Sequence, residues 1–363
     1  MNYIVLSIIV LFFSKIYQQL NKNGKTKIFA LLFICFILCF FAGSRSTYND
    51  TYAYREGFIK FNLSFSEIFN GEFSISAVYG FSVWQWLIRQ FTGNYHIFFF
   101  LSSALFVIPS VILIDKYSQN FTFSMLLFLT CGIYMFSLAA LKQMAATGIM
   151  IIGILSYLKH PDKGIKRYLI YYFFCALAIS FHGYAVIYLL VPLFGKKLFN
   201  KRTIAFLVIM AAFAVFSSAF YSIVIGVSNF IGNDITEETL NRGSVNVFRA
   251  LVFAVPFILT LIGNRKIAEF EPDKQFIIKL SMFSSLFMIM ALFGNPILFG
   301  RLPYYFVVAT AVALPTIIRN VFDIRSRKII NLIATLGYIS FAIYGLHQDG
   351  AFARDIFNMQ LWW

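Results

Sequence analysis

Eight residues spread along a chain of 363 have types suited to one kind of chemistry: Arg45, Asp50, Lys142, Gln143, His182, Arg242, Arg249 and Arg301. A guanidinium offers a planar fork of donors that matches phosphate oxygens, and an ammonium offers a compact charge. A diphosphate held at the level of lipid headgroups would satisfy both. A histidine, with a reference pKa of about 6.5, or a carboxylate can take a proton from an attacking hydroxyl near neutral pH. Gln143 would bind a neutral polar group of the ligand or orient a neighbour. The set calls for no cofactor and no metal.

Each member also has a plainer reading. A lone arginine at a helix end commonly snorkels to headgroups, and Arg55, Lys60 and Arg89 belong in that class. Asp50 could pair with Arg45 or cap a short helix. His182 could be a satisfied core histidine. The tyrosines and phenylalanines read as packing and as an interfacial belt, so no site residue is expected among them. His96, His160 and His347 read as loop or interface positions.

The elements that must position these residues are apolar helices. With 60% hydrophobic and 12% charged residues and a mean hydropathy of +0.77, the chain has the composition of an all-α, polytopic integral membrane protein. Apolar stretches predict about twelve crossings: Tyr3 to Leu20, Ile28 to Gly43, Ile97 to Ile114, Phe121 to Ala140, Met144 to Leu158, Tyr168 to Phe181, Tyr184 to Phe194, Ile204 to Val227, Phe248 to Gly263, Phe276 to Phe293, Tyr304 to Ile318 and Ile329 to Gly345. The first lacks a basic leader and a small-residue cleavage site and is expected to be retained. Numbered alternately, the connecting loops place 21 Lys and Arg against 6 Asp and Glu on one side, a net +15, and 9 of each sign on the other. By the positive-inside rule the basic side is cytoplasmic, so the termini and the eight residues face outward. The net charge is a topology signal and implies no nucleic-acid partner.

Cys35, Cys39, Cys131 and Cys175 all fall inside apolar stretches, without disulfide or metal-ligand spacing. A single membrane domain over residues 1–363 is expected, with an outward loop at about 44–96 whose apolar positions predict short amphipathic helices lying on the outer leaflet. Between the basic loops at Lys159 to Arg167 and Lys196 to Arg202 the chain must leave and return within about 28 residues. Two helices of about 13 residues reach roughly 20 Å, short of a hydrocarbon core of about 30 Å. His182 and Gly183 would sit at the apex of that hairpin, below the outer surface, reachable through a water-filled cavity.

At these same positions the chain resembles a known group. Gly43-Ser44-Arg45 with Asp50 and Tyr54 or Phe58 beyond, Lys142-Gln143-Met144-Ala145-Ala146, Ser180-Phe181-His182-Gly183, and Gly300-Arg301-Leu302-Pro303-Tyr304-Tyr305-Phe306 together resemble the EpsG family of Wzy-type polysaccharide polymerases. The resemblance spans roughly residues 1 to 345, and its specificity lies in the order and spacing of the pieces. The family usually carries Arg-Gln where this chain has Lys142-Gln143. The positive charge is kept and the two-pronged guanidinium is not.

What the resemblance implies is a GT-C-like glycosyltransferase at the outer face of a bacterial cytoplasmic membrane. It would transfer a growing glycan from undecaprenyl pyrophosphate to the next lipid-linked repeat unit, with a chain-length regulator and a flippase as partners. In that frame His182 or Asp50 is the base for an inverting transfer. Arg45, Lys142, Arg249 and Arg301 hold phosphates, Arg242 lies on a mobile loop near them, and Gln143 meets a sugar. Rival classes are a lipid-linked oligosaccharide flippase, which needs two gated cavities, and an O-antigen ligase, usually marked by a late outward loop where this chain's longest comes early. A metal-dependent GT-C enzyme would want an acidic pair where Asn49-Asp50 supplies one carboxylate.

Overall fold

The computed structural model describes residues 3–20, 24–70, 78–159, 164–216, 243–294, 296 and 299–348, with five isolated positions between 222 and 229. Among them all regular structure is helical and there is no strand. The helices are α1 (Tyr3–Gln19), α2 (Lys25–Gly43), α3 (Thr51–Ile59), α4 (Tyr79–Arg89), α5 (Tyr95–Tyr117), α6 (Phe121–Thr130), α7 (Ile133–Ala139), α8 (Leu141–Lys159), α9 (Ile165–Phe181), α10 (Lys201–Val215), α11 (Val247–Ile262), α12 (Asn264–Ile267), α13 (Pro272–Met290), α14 (Val307–Val321) and α15 (Ile324–Gln348). Three 3-10 segments, Glu67–Phe69, Gly183–Phe194 and Leu302–Tyr305, interrupt them.

Among the described residues four helices, α2, α5, α8 and α15, are long and apolar enough to cross a membrane, and α6 with α7 makes a fifth if that bent pair crosses as one broken span. The expected crossings fall on helices wherever their residues are described, but length and composition single out these four or five. The crossing expected from Ile204 is helical over Lys201–Val215, and most of its remainder lies outside the described residues.

Burial ranks the spans. In α8, 78% of the apolar window is buried inside the protein, against 17% in α15, so α8 is central and α15 peripheral. Close approach of backbones makes this possible: Gly148 of α8 lies so near α5 that a Cβ there would stand 2.0 Å from the Leu105 carbonyl oxygen. Between α6 and α7 the chain bends by 44° at Gly132, whose φ of 77° is in the left-handed region that glycine tolerates best.

The described residues of the segment around 44–96 form α3, the Glu67–Phe69 turn and α4. Helix α4 is amphipathic, burying Phe81, Gln85 and Ile88 while Leu87 stays exposed. It packs on α9, with Gly80 allowing the approach to Ser180 and Phe181. His96, read from sequence as a loop or interface residue, is instead buried, with Nδ1 bonded to the last carbonyl of α2, that of Gly43, at 2.8 Å.

Both legs of the short hairpin differ from expectation, the first in length and the second in winding. Helix α9 has 17 residues, reaching about 25 Å at 1.5 Å each, and His182 is its C-cap. The return leg, Gly183–Phe194, is a 3-10 helix of 12 residues. At about 2.0 Å per residue it reaches roughly 24 Å, where an α-helix of that length would reach about 18 Å. Tighter winding thus compensates for the shortage of residues. Tyr171 ties the legs together by donating to the Tyr188 carbonyl at 2.8 Å.

Candidate active site

The turn at Arg301–Tyr305 organises the site. Three of its carbonyls are held from outside: Arg301 O by Gln143 Nε2 at 2.8 Å, Pro303 O by Ser284 Oγ at 2.9 Å, and Tyr305 O by the Tyr188 hydroxyl. With the backbone pinned by α8, α13 and the 3-10 leg, the side chains are presented in fixed directions. Gly300 permits the tight entry, because a Cβ there would lie 2.3 Å from the Pro296 carbonyl oxygen. Arg301 is exposed, Tyr305 is buried with its hydroxyl 2.6 Å from His182 Nδ1, and Tyr304 accepts a hydrogen bond from Arg249 Nη2.

A cavity of about 320 Å³ is lined by Asp50, Ala53, Tyr54, Ala140, Lys142, Gln143, His182 and Arg301. A second, of about 520 Å³, shares Asp50, Ala140 and Arg301 with the first and adds Asn49, Arg249 and Tyr304 among its walls. Each volume lies within the roughly 300–1,000 Å³ typical of small-molecule sites. The two adjoin along one edge, where Asp50 and Arg301 face both.

Each polar residue reaches this place by a local device. Asp50 follows two residues with positive φ, Tyr48 at 122° and Asn49 at 43°, a costly backbone for a tyrosine. It occupies the N-cap position of α3, yet its carboxylate makes no capping bond. Lys142 and Gln143 open α8 directly after α7. The Lys142 ammonium stands 5.3 Å from the centroid of the buried Phe81 ring. Gln143 is buried, and its amide orientation is fixed by the bond to Arg301 O, which leaves Oε1 without a partner among the described residues.

Arg45 goes elsewhere. It is fully buried, with Nε donating to Thr51 Oγ1 at 3.2 Å, Nη1 donating to the Ala42 carbonyl, and the guanidinium 4.1 Å from the Phe99 ring centroid. It lines neither cavity, and it forms no ion pair with Asp50. Its contacts instead tie the end of α2 to the start of α3, the turn that carries Asp50. Arg242 lies outside the described residues. Five of the eight residues singled out by sequence therefore line the smaller cavity or both, and Arg249 lines the larger.

Over residues 27–361 the chain matches the family model of EpsG. The chain belongs to the EpsG family. No curated protein and no solved structure matches it. Membership suggests a polysaccharide-polymerase role of glycosyltransferase character for this membrane-embedded protein.

In this EpsG-family chain, three tyrosines from which the sequence drew no site lie beside the cavities or touch their polar residues. Tyr54 lines the smaller cavity, Tyr304 holds Arg249, and Tyr305 holds His182. With 20 tyrosines in the sequence, residue type could not separate them. The usable signal was adjacency, since Tyr304 and Tyr305 follow Arg301 within one turn.

Proposed function

We propose that the two adjoining cavities form one glycosyl-transfer centre, in which a growing glycan moves from undecaprenyl pyrophosphate to the next lipid-linked repeat unit. What carries this reading is the convergence of Asp50, Lys142, Gln143, His182 and Arg301, from four separate chain segments, on one cavity. Departure of a diphosphate leaves growing negative charge, and fixed Arg and Lys donors stabilise it without reorganisation. Arg301 and Arg249 in the larger cavity, with Lys142 in the smaller, hold the phosphates of donor and acceptor. Arg45 positions the Asp50 turn, and Gln143, on the cavity wall beside it, orients Arg301 through its bond to the Arg301 carbonyl. Either His182 or Asp50 takes the proton of the attacking hydroxyl, giving inversion at the donor carbon.

The shared walls favour one reaction centre over a flippase's two gated cavities. Asp50 is the single carboxylate among the described residues lining either cavity. One carboxylate among cations is a poor divalent site, so the transfer runs without a metal. In the membrane, the further apolar helices complete about twelve crossings of a GT-C-like bundle, and the cavities open on the outer face of the bacterial cytoplasmic membrane.

The test is purified protein in nanodiscs given a synthetic repeat unit on undecaprenyl pyrophosphate. A ladder of products is expected from the wild type and a strongly diminished one from His182→Ala. A wild-type protein that makes no ladder, or a His182→Ala variant that makes a normal one, overturns the reading.

A further inference from the structure

The Tyr305 hydroxyl meets one of the two ring nitrogens of His182, Nδ1. The tyrosine ring is buried, its carbonyl is taken by Tyr188, and its hydroxyl lies 2.6 Å from His182 Nδ1 with no second partner among the described residues. A buried phenol needs an acceptor for its single proton, and here the available one is Nδ1. The reverse arrangement, Nδ1–H donating to the phenol oxygen, would seal an O–H donor in the interior without an acceptor. Nε2 has no protein partner among the described residues and, unlike Gln143 Oε1, is not shut away from the cavity.

We infer that Tyr305 donates to Nδ1 and so holds neutral His182 as the Nε2–H tautomer, presenting a hydrogen-bond donor to the cavity and leaving Asp50 as the base. His182 is then an electrostatic partner of the leaving group, and Tyr305 is the positioning residue that sets its polarity. The inference rests on the transfer reading above. In the step, the acceptor hydroxyl oxygen forms a bond to the anomeric carbon of the donor glycan. The bond from that carbon to the diphosphate oxygen breaks, and its electron pair stays on the diphosphate. The Asp50 carboxylate takes the hydroxyl proton and later releases it to water. His182 Nε2–H donates to a diphosphate oxygen throughout and keeps its proton.

Glutamine places an amide N–H near the position of Nε2 and cannot act as a base there, whereas asparagine reaches only as far as Nδ1. With the lipid-diphosphate repeat unit in nanodiscs, His182→Gln is expected to retain at least about tenfold more turnover than His182→Asn or His182→Ala, a difference of one donor hydrogen bond. Equal loss in all three would return the base role to His182. In a double-mutant cycle, Tyr305→Phe should lower turnover in the wild-type background and add nothing to His182→Gln. Additive losses would mean that Tyr305 acts only through packing.

The tautomer has a readout that needs no substrate. In histidine-¹⁵N-labelled full-length protein, with the His182 signals assigned by their absence from His182→Gln, NMR is expected to show a protonated Nε2 and a bare Nδ1. Tyr305→Phe should yield a mixture. A protonated Nδ1 in the wild type overturns the inference whatever the enzyme assay shows. Absence of any wild-type ladder with a protonated Nε2 would instead remove the polymerase reading alone.

Discussion

The hairpin of α9 and Gly183–Phe194 has its His182 apex at one end and its return into α10 at the other, and the two ends treat polar groups in opposite ways. At the return, Lys279 is fully buried and donates to the carbonyls of Phe194 and Gly195, both at 2.8 Å. Arg202 donates to Leu193 O at 2.7 Å, Gln275 accepts from Leu198 N at 2.9 Å, and Lys196 pairs with Asp273 at 2.8 Å. The last carbonyls of a helix have no partners within it, so each is supplied from outside. At the apex, Asp50 lacks a capping bond, His182 Nε2 has no protein partner among the described residues, and the backbone before Asp50 is strained. One end is saturated, which holds the fold. The other leaves its hydrogen-bonding capacity for a ligand.

Substitutions at the two ends should therefore separate activity from stability. Asp50→Asn is expected to give the largest loss of turnover, about 10²- to 10⁴-fold, with an unchanged melting temperature in detergent. A variant that lost both together would place Asp50 with the structural groups. Arg301→Lys and Arg249→Lys keep the charge and lose the fork, and each should cost about 10²-fold in turnover of lipid-diphosphate substrate. Unchanged rates in both would mean that these side chains only reach for headgroups.

Gln143→Leu removes the bond that holds the Arg301 carbonyl and, by loosening Arg301, should raise KM about tenfold, the value of one lost hydrogen bond, while kcat changes less. Lys279→Met is the mirror experiment. It leaves the Gly195 carbonyl without its ammonium and should destabilise the protein by about 1–3 kcal/mol, read as a lower melting temperature, with turnover per folded molecule within about twofold of wild type. Removal of divalent ions with EDTA should have the smallest effect of all, leaving ladder length unchanged.

Much of this arrangement was legible in the sequence because hydropathy and charge report where helices end. Lys142 and Gln143 do open α8, His182 does sit at the apex of a short hairpin, and Arg301 does begin the turn that faces the cavity. Neighbours distant in sequence were not legible. Arg45 reads as an outward cation because nothing beside it reveals that Phe99 and Thr51 will enclose it. Lys279 counts with the basic side although it falls within the crossing expected from Phe276, and nothing beside it reveals that its acceptors lie about 85 residues earlier. The return leg winds as a 3-10 helix although its composition suits an α-helix equally, since the choice follows from the distance it must cover. The link from Tyr305 to His182 spans 123 positions and depends on two turns meeting.

Gly148 shows how far such geometry extends beyond the polar residues. A methyl group there would meet not only the Leu105 carbonyl oxygen but also Phe106 Cα at 2.6 Å, and neither is the end of a side chain that can swing aside. Two cylinders would have to separate, and the one bearing Gly148 ends in Lys142 and Gln143 about 9 Å along its axis. A position with no charge, no proton to move and no ligand to touch thus works as the fulcrum of the assembly. Gly148→Ala would act as a wedge under the machinery, tilting two of its members at once from within the greasy interior.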